Sequence, residues 1–160
     1  LLRLWMDVLL RFLAVLTLLS IFPPAFGVDY DRDVFSYRGY KPDTLVGTYT
    51  GKTCDIVNID HVVSLKDAFE SGAKYWSDSE KSVFANDLNN HLPSCSRVNS
   101  SKGSAGPKDF LRRSRDGRGL EYRIVDFCGY VGVYHSVKQK YKLSFKSNDS
   151  ELFKACGFNI

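Results

Sequence analysis

The chain has 160 residues, of which 44% are hydrophobic, 25% charged and 14% aromatic. That length holds one domain and not two, and the composition excludes a disordered chain while leaving ample apolar area for a core. The formal charge of +4 is too small to identify a polyanionic partner by itself.

Residues 1–27 differ from the rest. Arg11 precedes the run FLAVLTLLSIF at 12–22, Pro23 and Pro24 follow, and Ala25-Phe26-Gly27 gives a small-x-small ending. This is the pattern of a secretory signal peptide. The run is shorter than the ~20 residues that span a bilayer; a buried core helix and an uncleaved anchor are the alternatives. Met6 is the expected start, with the mature chain beginning near Val28 and holding 133 residues. Removing Arg3, Arg11 and Asp7 leaves 20 basic and 17 acidic side chains, a charge of +3. Cys54, Cys95, Cys128 and Cys156 all lie in the mature part. An even count in an exported chain favours two disulfides, and spacing does not choose among the three pairings. A zinc site, the competing use of these cysteines, lacks any Cys-x-x-Cys pair.

Residues 28–53 are polar, aromatic and turn-rich, reading as loop with short strands. The β-branched stretch CDIVNIDHVVSL at 54–65 predicts a strand. From Ser64 or Leu65 the spacing of Leu65, Ala68, Phe69 and Trp76 predicts a helix, interrupted at Gly72. Ser77 and Glu80 form a capping-box pattern, so a second helix is expected from about 78 to 88. Residues 89–93 read as irregular. Ser94 is placed to cap a short helix ending near Lys102, with Gly103 as its stop, and 103–107 reads as a connector. Ile124, Phe127, Val131, Tyr134 and Val137 predict one face of a long helix over 122–141, and Asn148 with Glu151 caps a last helix carrying Cys156.

The chemistry concentrates in 60–102. Hydrolysing a phosphodiester needs a base that takes a proton from the attacking water near neutral pH, which suits an imidazole such as His61. It also needs a divalent ion on hard oxygen ligands, which Asp carboxylate and Asn carbonyl supply. Adjacent side chains on a strand point to opposite faces, so Asp60 and His61 are expected to require a bend or bulge to meet one phosphate. Each piece alone has an ordinary reading: a surface Asp-His pair, turn-forming asparagines, and a solvated lysine at a helix end. His91 reads as exposed loop, and His135 as structural.

Taken together, Asp60-His61-Val62-Val63-Ser64-Leu65, Ser71-Gly72-Ala73 with Trp76, Phe84-Ala85-Asn86-Asp87-Leu88-Asn89-Asn90 and Val98-Asn99-Ser100-Ser101-Lys102-Gly103 resemble the HNH, or His-Me finger, endonucleases. More narrowly, they resemble the exported branch related to the C-terminal nuclease domain of the GmrSD restriction enzymes. Tyr30-Asp31-Arg32-Asp33-x-Phe35 and Gly47-Thr48-Tyr49-Thr50-Gly51 are similar to the extracellular members, so the likeness covers about 30–156.

The resemblance implies an α+β fold with a ββα-metal core, a helical insertion and C-terminal helices. His61 would come from the first strand as general base, Asn90 from the second as a brace, and Asn99 from the helix. Asp60 and Asn99 would hold Mg²⁺ or Mn²⁺, and Lys102 would contact phosphate as a point charge. Nucleic acid is the implied partner, DNA first and RNA second, with no stable membrane association after signal removal. The basic residues Arg112, Arg113 and Arg115, with Arg118 and Lys108 nearby, read as a phosphate-tracking surface or as a solvated loop. The third motif position is Asn99 and not histidine, and 28 residues separate His61 from Asn90, more than compact members have. Bridges Cys54–Cys95 and Cys128–Cys156 would tie the strand entry to the metal helix and fasten the last helix. Asn99 and Asn148 head N-glycosylation patterns; a sugar on Asn99 would forbid its role as ligand. The alternative function is a catalytically silent secreted effector or binding module that keeps the nuclease fold.

Overall fold

The computed structural model describes residues 28–115, 117 and 120–160. The expected signal peptide and Arg118 lie outside them. Among the described residues there are two small antiparallel sheets and six α-helices, joined by three short 3₁₀ turns.

The first sheet pairs β1 (Val46–Gly47) with β2 (Lys52–Thr53). The second pairs β3 (Val57–His61) with β4 (His91–Cys95), in a register running from Val57 opposite Cys95 to His61 opposite His91. Thr48 N–H donates to the Pro93 carbonyl at 2.8 Å and joins the two sheets. The Cys54–Cys95 disulfide, Cα–Cα 5.6 Å, clamps the same junction. Gly47 packs against that bridge; a Cβ there would lie 2.5 Å from Cys95 Sγ and 2.8 Å from Cys95 N, so no larger residue fits without a shift.

Residues 89–93, expected as irregular, include the start of β4. The sequence HLPSC carries no strand alternation, and Pro93 cannot donate to a ladder. Its extended form comes from pairing with β3 and not from local preference. The predicted strand 54–65 is correspondingly shorter and ends at His61.

Between β3 and β4 come α1 (Leu65–Glu70) and α2 (Asp78–Ala85). Ser64 Oγ accepts from Asp67 N–H and starts α1. Ser77 and Glu80 close the full capping box on α2, which stops at Ala85, three residues before the expected end. A 3₁₀ turn, Leu88–Asn90, leads into β4. α3 (Ser96–Lys102) follows β4 at once. Ser94 is a buried strand residue and does not cap α3, which begins two residues later. Gly103, at φ +53°, takes a positive-φ conformation that glycine adopts freely, and it ends the helix.

The connector 103–107 ends in a helix that periodicity did not show, α4 (Pro107–Arg113), with proline in its first turn. The long C-terminal helix, α5 (Phe127–Lys140), starts five residues later than 122 because the Asp126 carboxylate caps it by accepting from Gly129 N–H. Tyr122 and Ile124 are buried in irregular backbone ahead of it. α6 (Ser150–Ala155) is capped by Asp149 and not by Asn148. Cys156, at its C-cap, bridges to Cys128 on α5 with a Cα–Cα distance of 5.2 Å.

The core is largely aromatic. Tyr49, Phe110 and Tyr130 meet edge to face at centroid separations of 5.0–5.5 Å. Phe84 packs on Tyr141 and Trp76 from the other side. α5 buries Tyr130, Val131, Tyr134 and Val137, the i, i+1, i+4, i+7 face of an amphipathic helix. Lys138 is on this buried face too, its ammonium 2.8 Å from Asp67 Oδ1.

Candidate functional site

β3 ends at the site. Its ladder with β4 is unbroken through His61, so there is no bulge of the kind expected. Asp60 and His61 project to opposite sides, yet both line one cleft of about 340 Å³ with Asn99, Tyr30, Arg32 and Ser104.

On one side of β3 the Asp60 carboxylate is 5% exposed. Its Oδ2 accepts from the Tyr49 hydroxyl at 2.5 Å and meets Lys102 Nζ at 2.9 Å. Lys102 Nζ also donates to the His61 carbonyl at 2.9 Å. Lys102 is fully buried, which corrects the expected phosphate contact: its ammonium is enclosed and locks Asp60 to the β3 backbone. Burial and the adjacent carboxylate push the Tyr49 phenol well above its usual range, so it stays a proton donor.

On the other side, His61 Nε2 lies 2.8 Å from the Ala85 carbonyl at the end of α2. A carbonyl oxygen only accepts, so Nε2 carries the proton and the neutral ring keeps its lone pair on Nδ1. His91, directly across the ladder, brings its Nε2 to 3.0 Å from the same carbonyl. Both rings therefore donate to the two lone pairs of one oxygen, which accounts for their 3.2 Å Nε2–Nε2 approach. Tyr37 stacks edge-on against His61 at 4.7 Å and holds the pair from outside. The expected exposed loop at His91 is thus a half-buried strand position. Burial first, then the nearby His91, Arg32 and Lys102 charges, lowers His61 to about 4 against the opposing Ala85 bond. The ring is neutral throughout the physiological range.

Asn90 lies one residue before β4 and is fully buried. Its side chain accepts from Val63 N–H at 2.8 Å and donates to the Val63 carbonyl at 3.0 Å. Its own carbonyl accepts from Val62 N–H at 2.8 Å. Asn90 therefore braces the backbone just beyond His61 and does not touch the imidazole. Asn99, on α3, donates from Nδ2 to Asn58 Oδ1 on β3 at 2.9 Å. That bond fixes its amide and leaves its own carbonyl oxygen free to accept.

The oxygens of Asp60 and Asn99 suit a hard divalent ion in chemical kind. Both hydrogen bonds to Asp60 use Oδ2, leaving Oδ1 as the acceptor. Among the described residues no three His, Cys, Asp or Glu side chains converge as a metal cluster. Two protein oxygens with water and substrate phosphate completing the shell is the usual arrangement for Mg²⁺.

The arginines lie elsewhere. Arg112 and Arg113 line a separate cavity between α3 and α4, and Arg115 is exposed beyond α4. Arg113 Nη1 donates to the Ser101 and Lys102 carbonyls and so caps the C-terminus of α3. Lys108 pairs with Asp149 at 2.9 Å on the surface. His135 is hydrogen-bonded to the Asn159 carbonyl, away from the cleft. Tyr49, Asn58, Arg32 and His91 were not assigned roles from sequence. Tyr49 and Arg32 sit inside the upstream motifs, which marked the stretches but not their chemistry.

No family model and no solved structure matches the chain. It is 36% identical over 93 residues to an uncharacterized secreted protein of Arthroderma benhamiae, a match covering 57% of this chain and 41% of that protein. The chain thus spans about two fifths of the length of that relative. Both disulfides form among the described residues, as they do in oxidising compartments. The protein is secreted. No helix of the described residues in this secreted protein is long and apolar enough to cross a membrane.

Proposed function

We propose that the secreted protein is a divalent-metal-dependent endonuclease that hydrolyses phosphodiester bonds in DNA, with RNA as the second substrate. One observation carries the reading: His61, with its Nε2 proton committed to Ala85, lines the same cleft as Asp60 and Asn99. An imidazole fixed in this way has its Nδ1 lone pair available for a water proton. β3 supplies Asp60 and His61, and α3, which follows β4 directly, supplies Asn99; Asn90 sits one residue before β4 and not on the second strand.

In this reading Asp60 and Asn99 hold Mg²⁺ or Mn²⁺. When bound, the ion offsets negative charge that develops on the phosphoryl and leaving oxygens. His61 accepts the proton of the attacking water at Nδ1. Burial lowers the ring to about 4, so at neutral pH it is already in the uncharged form that accepts a proton. Tyr49 and Lys102 fix the Asp60 carboxylate, and Asn58 fixes the Asn99 amide, so the two oxygens are set before substrate arrives. Arg32 at the cleft mouth is the cation that meets the incoming phosphate, in place of the enclosed Lys102. Arg112, Arg113 and Arg115 serve as the wider basic surface. Contacts confined to the backbone give little sequence preference.

Nicking of supercoiled plasmid with Mg²⁺, Mn²⁺ or EDTA tests the proposal. Metal-dependent nicking that Asp60→Asn and Asn99→Ala each reduce supports it. A folded, disulfide-bonded protein that nicks nothing in any metal is a silent binding protein instead.

A further inference from the structure

Helix α3 serves three surroundings at once. Val98 and Lys102 are buried in the core, and Asn99 faces the catalytic cleft. Ser96, Arg97, Ser100 and Ser101, at i, i+1, i+4 and i+5, share the remaining face. That face, with Arg112 and Arg113 from α4 and Leu120, walls a second, open groove of about 600 Å³.

The lining of this groove is chemically one-sided. Among the described residues it holds three guanidinium groups and three hydroxyls, and no acidic side chain. Arg97 is exposed and makes no ion pair among the described residues. Arg112 is 57% exposed, and its contact with Asp109 is a 3.3 Å surface pair on its own helix, weak enough to give way to a ligand. Arg113 is half-buried, with Nη1 bound to the last carbonyls of α3 and its other N–H groups uncommitted. Ser101 Oγ accepts from the Tyr122 hydroxyl at 3.0 Å and keeps its own proton to donate.

We infer that this groove is a phosphate-binding subsite for the same nucleic acid strand whose phosphodiester enters the Asp60–His61–Asn99 cleft. The inference rests on the nuclease reading and deepens it by adding Arg97 and the α3 serines as the strand-positioning contacts. Guanidinium groups bind phosphate through paired N–H donors, and serine hydroxyls supplement them without a charge preference of their own. Cleft and groove lie on different faces of one helix, whose diameter with side chains is about 10 Å. At ~3.4 Å of duplex axis per phosphate of one strand, the groove meets phosphates about three nucleotides from the scissile one. A substrate of only two or three nucleotides therefore misses it.

Fluorescence anisotropy with a fluorescein-labelled 30-base-pair DNA in EDTA tests this without cleavage. The variant is Arg97→Gln/Arg112→Gln, which leaves the Arg113 helix cap intact; its melting temperature and disulfides are checked against wild type. The expected result is a loss of affinity of about tenfold or more, with the log affinity against log salt slope falling by about two. In cleavage assays on the same duplex the loss falls on KM more than on kcat. Unchanged DNA affinity and salt slope in a folded variant overturns the subsite while leaving the nuclease reading intact. Wild-type protein that binds DNA through these arginines but cuts nothing defeats the nuclease reading alone. Binding of phosphatidylserine vesicles that is tighter than DNA binding and lost in the variant also overturns the subsite, since the groove then serves a lipid surface.

Discussion

Removing the Lys102 ammonium leaves two buried acceptors, the Asp60 carboxylate and the His61 carbonyl, without their shared donor. Stranding a buried charge in this way costs about 3–5 kcal/mol. Lys102→Met is therefore expected to lose about that much stability in urea unfolding; a loss under ~1 kcal/mol means the ammonium is not the brace described here. The imidazoles give a second prediction. Burial lowers His61 from 6.5 to about 4, so between those values the unfolded chain binds a proton that the folded chain refuses. Stability is complete above about pH 6.5 and falls as pH drops towards 4, by about 3 kcal/mol for His61 alone. His91, lowered first by burial, acts in the same direction. Urea unfolding of the metal-free protein across this range reads the slope, and His61→Gln is expected to remove much of it. A flat profile for wild type contradicts the buried neutral ring. Asn99 gives a third. Its Nδ2, the atom a glycan would occupy, is bonded to Asn58 inside the site. Mass mapping of protein secreted from a glycosylating host is expected to find Asn99 bare, and sugar on Asn99 in active protein removes it from the ligand set.

At the scale of elements, the junction of β1 with β4 depends on a residue with no side chain. A Cβ at Gly47 meets both Cys95 Sγ and the Cys95 backbone nitrogen, and the backbone atom has no freedom to move aside. Gly47→Ala is expected to cost about 1–3 kcal/mol and to leave more free Cys54 and Cys95 thiols after oxidative refolding. Wild-type stability with full oxidation would show that the junction is looser than drawn. What the chain disclosed in advance follows the range of the forces involved. The α2 cap was legible because Ser77 and Glu80 satisfy each other within one turn. The apolar face of α5 was legible from its period, but not its start, because Asp126 overrides the apolar run that continues back to Ile124. β4 was not legible, since its extended form depends on a partner strand about thirty residues away. α4 was hidden by the Gly106-Pro107 signal, which reads equally as a turn or as a first helical turn. Asp60, His61 and Asn99 in the cleft, and Asn90 behind it, were picked out by ordered motifs and not by any local pattern. The burial of Lys102 was invisible because its partners are 41 and 42 positions distant.

At the scale of the whole molecule, three parts of the fold that share one core meet at the cleft. The disulfide-clamped sheets supply Asp60, His61 and Asn58, the α1–α2 insertion supplies the Ala85 carbonyl, and α3 supplies Asn99. Each group of the proposed site is held by a residue from another part of the fold: His61 by Ala85, Asn99 by Asn58 and Asp60 by Lys102. The secreted setting fits this construction, because two covalent bridges hold a small domain together where no chaperone acts on it. The most direct test is single-turnover plasmid nicking by wild type and His61→Ala in Mg²⁺, with melting temperatures confirming that both are folded. The account predicts metal-dependent nicking abolished by EDTA and a fall of about 10²–10⁴-fold on losing the imidazole. A folded His61→Ala that nicks at the wild-type rate, or nicking that persists undiminished in EDTA, would contradict it.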